Sequence, residues 1–131
     1  MEETVFLPRP VQAPRIPVWV GGWWPHKPPL RRAARWDGVF PGKLTPDGRF
    51  EMLTPDDLRA ILAYIAEHRT GGGPFDVVLS GETPGDDPAG GAAIVAPYVE
   101  AGATWWVEGI SGYRGPFEEM RARIRQGPPG G

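Results

Sequence analysis

The sequence predicts an α/β protein with a parallel sheet: four β/α units that form a partial TIM barrel, the C-terminal half of a (β/α)8 fold. Three observations predict it. Four short apolar runs, rich in β-branched and aromatic residues, are each bounded by turn residues. Helical signals separate and follow these runs, so strands and helices alternate. The 131 residues allow one core, but a complete barrel needs roughly 250.

The four predicted strands are runs that suit burial on both faces. They cover residues 16–20, 38–40, 75–79 and 104–107. Trp105 and Trp106 alternate along the last strand, so one ring is expected to face the barrel interior and the other to pack beneath a helix. Residues 4–11 are extended and interrupted by proline, which predicts an edge strand at most. The loop around Asp47-Gly48 is compatible with a small hairpin.

The clearest predicted helix begins at Thr54. Threonine is a good N-cap, proline follows at the first helical position, and two acids occupy the first turn. Spacings of three, four and seven residues predict that one face is buried. That face carries Leu58, Ile61, Leu62 and Ile65, and leaves Arg59 and Glu67 in solvent.

Three further helices complete the predicted units. One spans residues 29–35, and another spans 88–101 with Gly102 as its stop. The last begins at Gly115-Pro116, turns Phe117, Met120 and Ile124 inward, and ends before Gly127. Residues 1–126 are therefore predicted to form the half-barrel domain. Residues 127–131 are small and polar, and are predicted to be a flexible tail.

Composition excludes several classes of function. The formal net charge is −2, so no basic surface is available for nucleic acid. Two arginine clusters, at residues 31–35 and 121–125, are interpreted as solvated helix faces. The chain has no cysteine, which excludes disulfides and thiolate chemistry. It has neither a signal-peptide pattern nor an apolar stretch of about 18 residues. These features favour a cytoplasmic protein without a membrane or nucleic-acid partner.

Glycines lie at the predicted carboxyl ends of three strands, where parallel α/β folds place their binding sites. The loops are Gly21-Gly22-Trp23-Trp24, Ser80-Gly81-Glu82-Thr83 and Glu108-Gly109-Ile110-Ser111-Gly112. The pattern is compatible with a phosphate or planar ring across the barrel mouth, although glycine is also common in such turns for steric reasons. The Trp23-Trp24 pair could stack on an aromatic ligand or cover a hydrophobic core. His26 and His68 are too far apart to indicate a metal site.

Blocks along the whole chain resemble flavin-dependent oxidoreductases of the bacterial luciferase-like monooxygenase family. The most specific are the proline–strand–Gly-Gly block at residues 14–22 and the Arg-Ala-Ala-x-x-Asp-Gly block at residues 32–38. Weaker blocks lie at residues 10–12, 44–46, 54–58, 101–106 and 123–129. All of them match the C-terminal half of the family, in the same order.

The resemblance implies a flavoprotein in which FMN or a deazaflavin lies at the carboxyl ends of the strands. The turn after the first strand is implied to cradle the coenzyme phosphate. This role falls on Gly21, Gly22, Trp23 and Trp24, with Lys27 as a further donor. Many members have a small polar residue where this chain has tryptophan. Ser80, Gly81, Glu82 and Thr83 are implied to form a second contact region.

The family's first strands, which supply most catalytic groups, have no counterpart in this sequence. The catalytic residues therefore stay unknown, and the implied activity is that of an oxidoreductase or monooxygenase completed by a second half. A homo-oligomer or a complementary N-terminal half is the expected partner, because an isolated half barrel leaves two open sheet edges. The alternative is a non-catalytic remnant that binds coenzyme or is purely structural. An incomplete gene product is a third interpretation.

Overall fold

A computed structural model describes residues 11–129, which form five strands and four helices. The strands are β1 (Trp19–Trp24), β2 (Gly38–Leu44), β3 (Phe50–Glu51), β4 (Asp76–Gly81) and β5 (Trp105–Glu108). The helices are α1 (Lys27–Ala33), α2 (Pro55–His68), α3 (Pro88–Glu100) and α4 (Phe117–Arg125). The predicted alternation of strands and helices is confirmed.

The sheet has the order β1-β2-β4-β5, and these four strands are parallel. The short strand β3 pairs antiparallel with the end of β2 across the Asp47-Gly48 turn, so the expected hairpin is confirmed. A parallel α/β fold is therefore established. Residues 11–129 do not close into a barrel, because β1 and β5 lie at opposite ends of the sheet.

The first strand begins three residues later than predicted. The Val18 N–H donates to the Asp37 carboxylate at 2.7 Å, and the pairing with β2 starts one residue later, at Trp19 opposite Gly38. The prediction of residues 16–20 was therefore wrong in its bounds. As a consequence, Gly21 and Gly22 lie within β1 rather than in the turn that follows it.

The central strands β2 and β4 separate after two paired positions, Gly38–Asp76 and Val39–Val77. The Asp37 carbonyl accepts the Asp76 N–H, so odd positions of β2 turn their main-chain groups toward β4. The next odd position is Pro41, which has no N–H to donate. The hairpin strand β3 takes the place beside β2 that β4 leaves.

Helix α2 confirms its prediction in detail. The Thr54 hydroxyl accepts the Asp57 N–H, and the Asp57 carboxylate accepts the Thr54 N–H, both at 3.0 Å. Leu58, Ile61 and Ile65 are buried, whereas Leu62 is only partly buried. At the end of α3, Gly102 has φ +114°, as expected of a helix stop.

Helices α1, α2 and α3 cover one face of the sheet, which we call the covered face. Its core is aliphatic and includes Leu30, Val39, Leu58, Ile61 and Leu79, each at most 1% exposed. Because strand residues alternate, the other side chains point to the opposite, open face. Those residues are Trp19, Gly21, Trp23, Phe40, Gly42, Asp76, Val78, Ser80, Trp105 and Val107. The alternation predicted for Trp105 and Trp106 is confirmed, since Trp106 packs against Tyr98 of α3 and Trp105 lies on the open face. That Trp105 faces a barrel interior stays a prediction.

Helix α4 contradicts the sequence prediction. Phe117 and Ile124, which were expected to point inward, are 75% and 64% exposed. Arg123, which was expected in solvent, is buried instead. The reason is electrostatic, because the Arg123 guanidinium reaches acceptors in Thr83 and Glu108 that an apolar side chain would leave unsatisfied.

Both chain ends extend past the described residues. The predicted edge strand at residues 4–11 lies outside them except for Val11. In the predicted tail, the Gly127 carbonyl accepts a hydrogen bond from Arg123 at 2.6 Å, and Pro129 lies beside Gly91 of α3. The domain boundary at residue 126 stays a prediction. None of the helices within residues 11–129 has the length and apolar character to cross a membrane.

Candidate functional site

A cavity of about 490 Å³ opens where β2 and β4 separate, at the carboxyl ends of the strands. Parallel α/β folds bind ligands at this edge. The cavity extends from the open face down to the start of α1. Its walls are mostly apolar: Gly21, Gly22, Trp23, His26, Pro29, Phe40, Pro41, Gly42, Phe50, Glu51, Met52, Leu53, Leu79 and Ser80.

Four of the nine site residues predicted from sequence line this cavity: Gly21, Gly22, Trp23 and Ser80. The Trp23 ring is half exposed and meets Phe50 edge to face, with ring centroids 6.3 Å apart. A Cβ at Gly42 would collide with that ring, so glycine is needed there for Trp23 to lie across β2. A Cβ at Gly21 would meet only the Phe40 carbonyl, at 3.8 Å. Gly21 thus borders open space.

The tryptophan pair is divided between two environments. Trp23 lines the cavity, while Trp24 packs against the core on the covered face. Adjacent strand residues must point to opposite sides. Trp24 therefore covers the hydrophobic core, and Trp23 has the position that stacking on an aromatic ligand would require. Gly81 also faces the helices, because a Cβ there would collide with the Trp106 ring.

Lys27 and Glu82 are not among the residues that line the cavity. The Lys27 ammonium lies over the Tyr64 ring, 5.2 Å from its centroid. The Glu82 side chain is largely exposed and lies 3.8 Å from Arg114. Helix α1 offers few donors, since Pro28 and Pro29 follow Lys27 and lack N–H groups. The start of α1 is therefore poorly suited to hold an anion.

Thr83, the last predicted site residue, is buried in a polar network around Glu108. The Glu108 carboxylate accepts the Thr83 N–H at 2.7 Å and the Thr83 hydroxyl at 2.8 Å. It also accepts the Trp106 indole N–H at 3.1 Å and Arg114 at 2.7 Å. Arg114 and Arg123 both donate to the Thr83 carbonyl. The polar groups of Thr83 are thus engaged within the protein.

The Glu108 carboxylate is held in its charged form. Burial raises its pKa, but hydrogen bonds from the Thr83 N–H, Arg114, the Thr83 hydroxyl and Trp106 outweigh burial. The pKa therefore lies below the ordinary value of 4.5. With two guanidinium groups packed on one carboxylate, this network joins the β4–α3 loop, β5 and α4.

A lysine close to the cavity is engaged by carboxylates. The Lys43 ammonium lies 2.9 Å from Asp57 and 3.3 Å from Glu51, which lines the cavity. The hydrogen bond to Asp57 raises the pKa of Lys43 despite partial burial. Two carboxylates balance its charge within the protein, so Lys43 is poorly suited to attract a phosphate.

At the amino ends of the strands, away from the cavity, two tryptophans on the open face bind one carboxylate. The Trp19 and Trp105 indole N–H groups donate to separate oxygens of Asp76, at 2.9 and 3.1 Å. The two rings lie 5.5 Å apart. Gly38 leaves room for this arrangement, because a Cβ there would lie 2.7 Å from the Trp19 ring. Asp76 thereby links the first and the last strand of the sheet.

Sequence reasoning missed the part of the cavity wall that β2 and the hairpin contribute. Phe40 and Gly42 alternate along β2, and this alternation could have placed them on the same face as Trp23. Phe50 and Met52 follow the Asp47-Gly48 turn, so the expected hairpin was the only signal for them. His26 precedes α1 as its N-cap residue and lines the cavity.

Within residues 11–129, no group of three or more metal-ligating side chains is placed to hold a metal ion. Comparison with protein-family models, with curated proteins and with solved structures found no match to this chain.

Proposed function

We propose that the cavity binds the ring system of a flavin-class coenzyme, FMN or a deazaflavin, and that the chain acts as part of a flavin-dependent oxidoreductase or monooxygenase. The observation that carries the proposal is the apolar, aromatic cavity at the carboxyl ends of the strands. Planar coenzymes bind in such clefts with few polar groups to orient them. Trp23 and Phe50 offer ring surfaces, and Gly21 keeps the main chain accessible.

The lining residues fit the ring of such a coenzyme better than its phosphate. Within residues 11–129, His26 and Ser80 are the unpaired polar side chains of the lining that could reach a polar group of the ligand. Arginine lines no part of the cavity among the described residues, and Lys27 lies against Tyr64. A bound flavin would supply hydride and electron transfer. Trp23 and Phe50 would hold its ring and exclude water.

The alternative, a coenzyme binder without turnover, is favoured by one feature of the cavity. Its only ionisable lining residues within the described chain are His26 and Glu51, and Glu51 is paired with Lys43. Proton transfer during oxidation of a substrate requires suitably placed acids and bases. Catalysis by this chain would therefore depend on groups supplied by a second half.

A fluorescence titration with each coenzyme tests binding. Stacking on Trp23 should quench the coenzyme emission, with an affinity in the micromolar range. The variant Gly21→Leu extends into the cavity from a position with free space, and should weaken binding at least tenfold, which is about 1.4 kcal/mol. Gly71→Leu is the matched control, because Gly71 lies in a loop with open surroundings and its variant should bind normally.

The outcomes separate the two candidates. If neither coenzyme binds at millimolar concentration, both candidates are refuted. If binding occurs and is the same in Gly21→Leu as in Gly71→Leu, the site lies elsewhere. Reduction of the bound coenzyme by NAD(P)H would support the oxidoreductase, whereas binding without reduction would support the non-catalytic binder.

A further inference from the structure

Large apolar side chains are exposed mainly at the two ends of the sheet. At the β1 end they are Val11, Ile16, Val18, Trp19 and Trp23, and at the β5 end Trp105, Val107, Ile110, Tyr113, Phe117 and Ile124. Elsewhere, α2 and β4 expose none of comparable size, and the remaining exposed ones are Trp36, Phe40, Phe50, Ile94 and Val99. Apolar patches of this extent are unusual on monomers and mark interaction surfaces. Both ends of the sheet therefore lack a cover.

The main chain is open at the same two places. Within the described part of the chain, no strand pairs with the outer edge of β1 or with the outer edge of β5. Both strands are parallel members of the sheet, so a parallel neighbour would continue the sheet at each edge. A two-fold axis along the strands would set β5 of one copy beside β1 of the other at both junctions. It would satisfy all four edges at once.

The side chains of the two end strands meet on the open face. Trp19 and Trp105 come from the first and fourth strands, and their ring centroids are 5.5 Å apart. Four strands from each copy make eight, the number whose interior side chains just fill a barrel.

The position of α4 indicates how the junction is covered. Helix α1 packs on β1 and also on the next strand, β2. By the same arrangement α4 would pack on β5 and on the strand beside it. The outer face of α4 carries Phe117 and Ile124, which form a groove of about 340 Å³ with Ile110. Nothing in residues 11–129 fills this groove.

We propose that two copies of this chain close into an eight-stranded parallel barrel, with β5 and α4 of each copy packed against β1 and residues 11–18 of the other. The second copy is the occupant because a two-fold arrangement covers both edges, the open face and the outer side of α4 at once. The assembly does not depend on a coenzyme, so its failure and that of coenzyme binding are separate results.

Sedimentation velocity at micromolar concentration, without coenzyme, tests this proposal. The wild-type chain of 14.3 kDa should sediment as a dimer. Ile124→Glu and Ile16→Glu alter opposite ends of the sheet at exposed positions, and each should weaken the dimer at least tenfold. Val99→Glu on α3 is the matched control, because Val99 is similarly exposed but lies away from the junction, and its dimer should persist.

Circular dichroism of each variant confirms that the fold is retained. A wild-type monomer would overturn the proposal in favour of a different partner, such as a separate N-terminal half. If the dimers of Ile124→Glu and Ile16→Glu are as stable as the dimer of Val99→Glu, the interface lies elsewhere. An assembly larger than a dimer would contradict the two-fold closure.

Discussion

The covered face and the open face of the sheet come from the same strands but differ in chemistry. The covered face is aliphatic and tightly packed, with Leu58 and Ile61 fully buried. The open face is aromatic and partly exposed, and it holds one carboxylate, Asp76, between two indole rings. The difference suggests a division that can be tested: the covered face is expected to provide most of the stability of the chain, and the open face carries the cavity for which we propose binding.

The largest effect should come from a core residue of the covered face. Leu58→Ala removes a fully buried side chain and should lower the free energy of unfolding by about 3 kcal/mol. Phe50→Ala on the hairpin should cost less than about 1 kcal/mol, since Phe50 is 64% exposed. Urea unfolding at micromolar concentration measures both values. Equal losses would show that the open side also carries stability, contrary to the comparison.

The second effect concerns the polar end of the covered face. Arg123→Ala removes donors to the Thr83 carbonyl and hydroxyl and to the Gly127 carbonyl. Because Arg114 still binds both Thr83 and Glu108, we expect a loss of about 2 kcal/mol. Arg121→Ala, two positions earlier on the exposed side, should cost at most about 0.5 kcal/mol. If both variants unfold alike in urea, Arg123 is not a structural anchor.

The smallest effect is the pH dependence of the same network. The folded-state pKa of Glu108 lies below its unfolded value, so its contribution is fully present above about pH 4.5 and is lost as the pH falls through the folded pKa. Glu108→Gln should therefore flatten the decline of stability between pH 4.5 and lower values, while lowering stability at neutral pH. Thermal unfolding followed from about pH 7 to pH 3 measures this. If Glu108→Gln loses stability at low pH as steeply as the wild type, Glu108 does not cause this loss.

Local signals predicted the covered face well. The N-cap Thr54 and the spacing of Leu58, Ile61 and Ile65 defined α2, because capping and amphipathic periodicity are both properties of a short stretch of sequence. The bounds of β1 were missed because they depend on a distant residue, Asp37, whose carboxylate accepts a hydrogen bond from the Val18 N–H. No local pattern reveals such a partner.

The cavity and the network around Glu108 were predicted only in part. Gly21, Trp23 and Ser80 were placed near the correct edge because the carboxyl ends of parallel strands meet there. Thr83 was expected to face a ligand, but Glu108, which lies 25 residues away, engages it. For α4, apolar periodicity predicted the wrong inner face, because a buried guanidinium decides its orientation. The orientation of α4 therefore depends on contacts with residues that are distant in the sequence.

The proline at position 41 limits how the molecule can respond to a ligand. It cannot donate the next hydrogen bond of the ladder, so the pairing of β4 with β2 is weakened at the position where the cavity opens, whether or not a ligand is present. The separation of the two strands is thus favoured by the main chain itself and not only by a side-chain rotamer. If the cavity binds a coenzyme as proposed, the association rate should reflect diffusion and desolvation rather than a conformational gate.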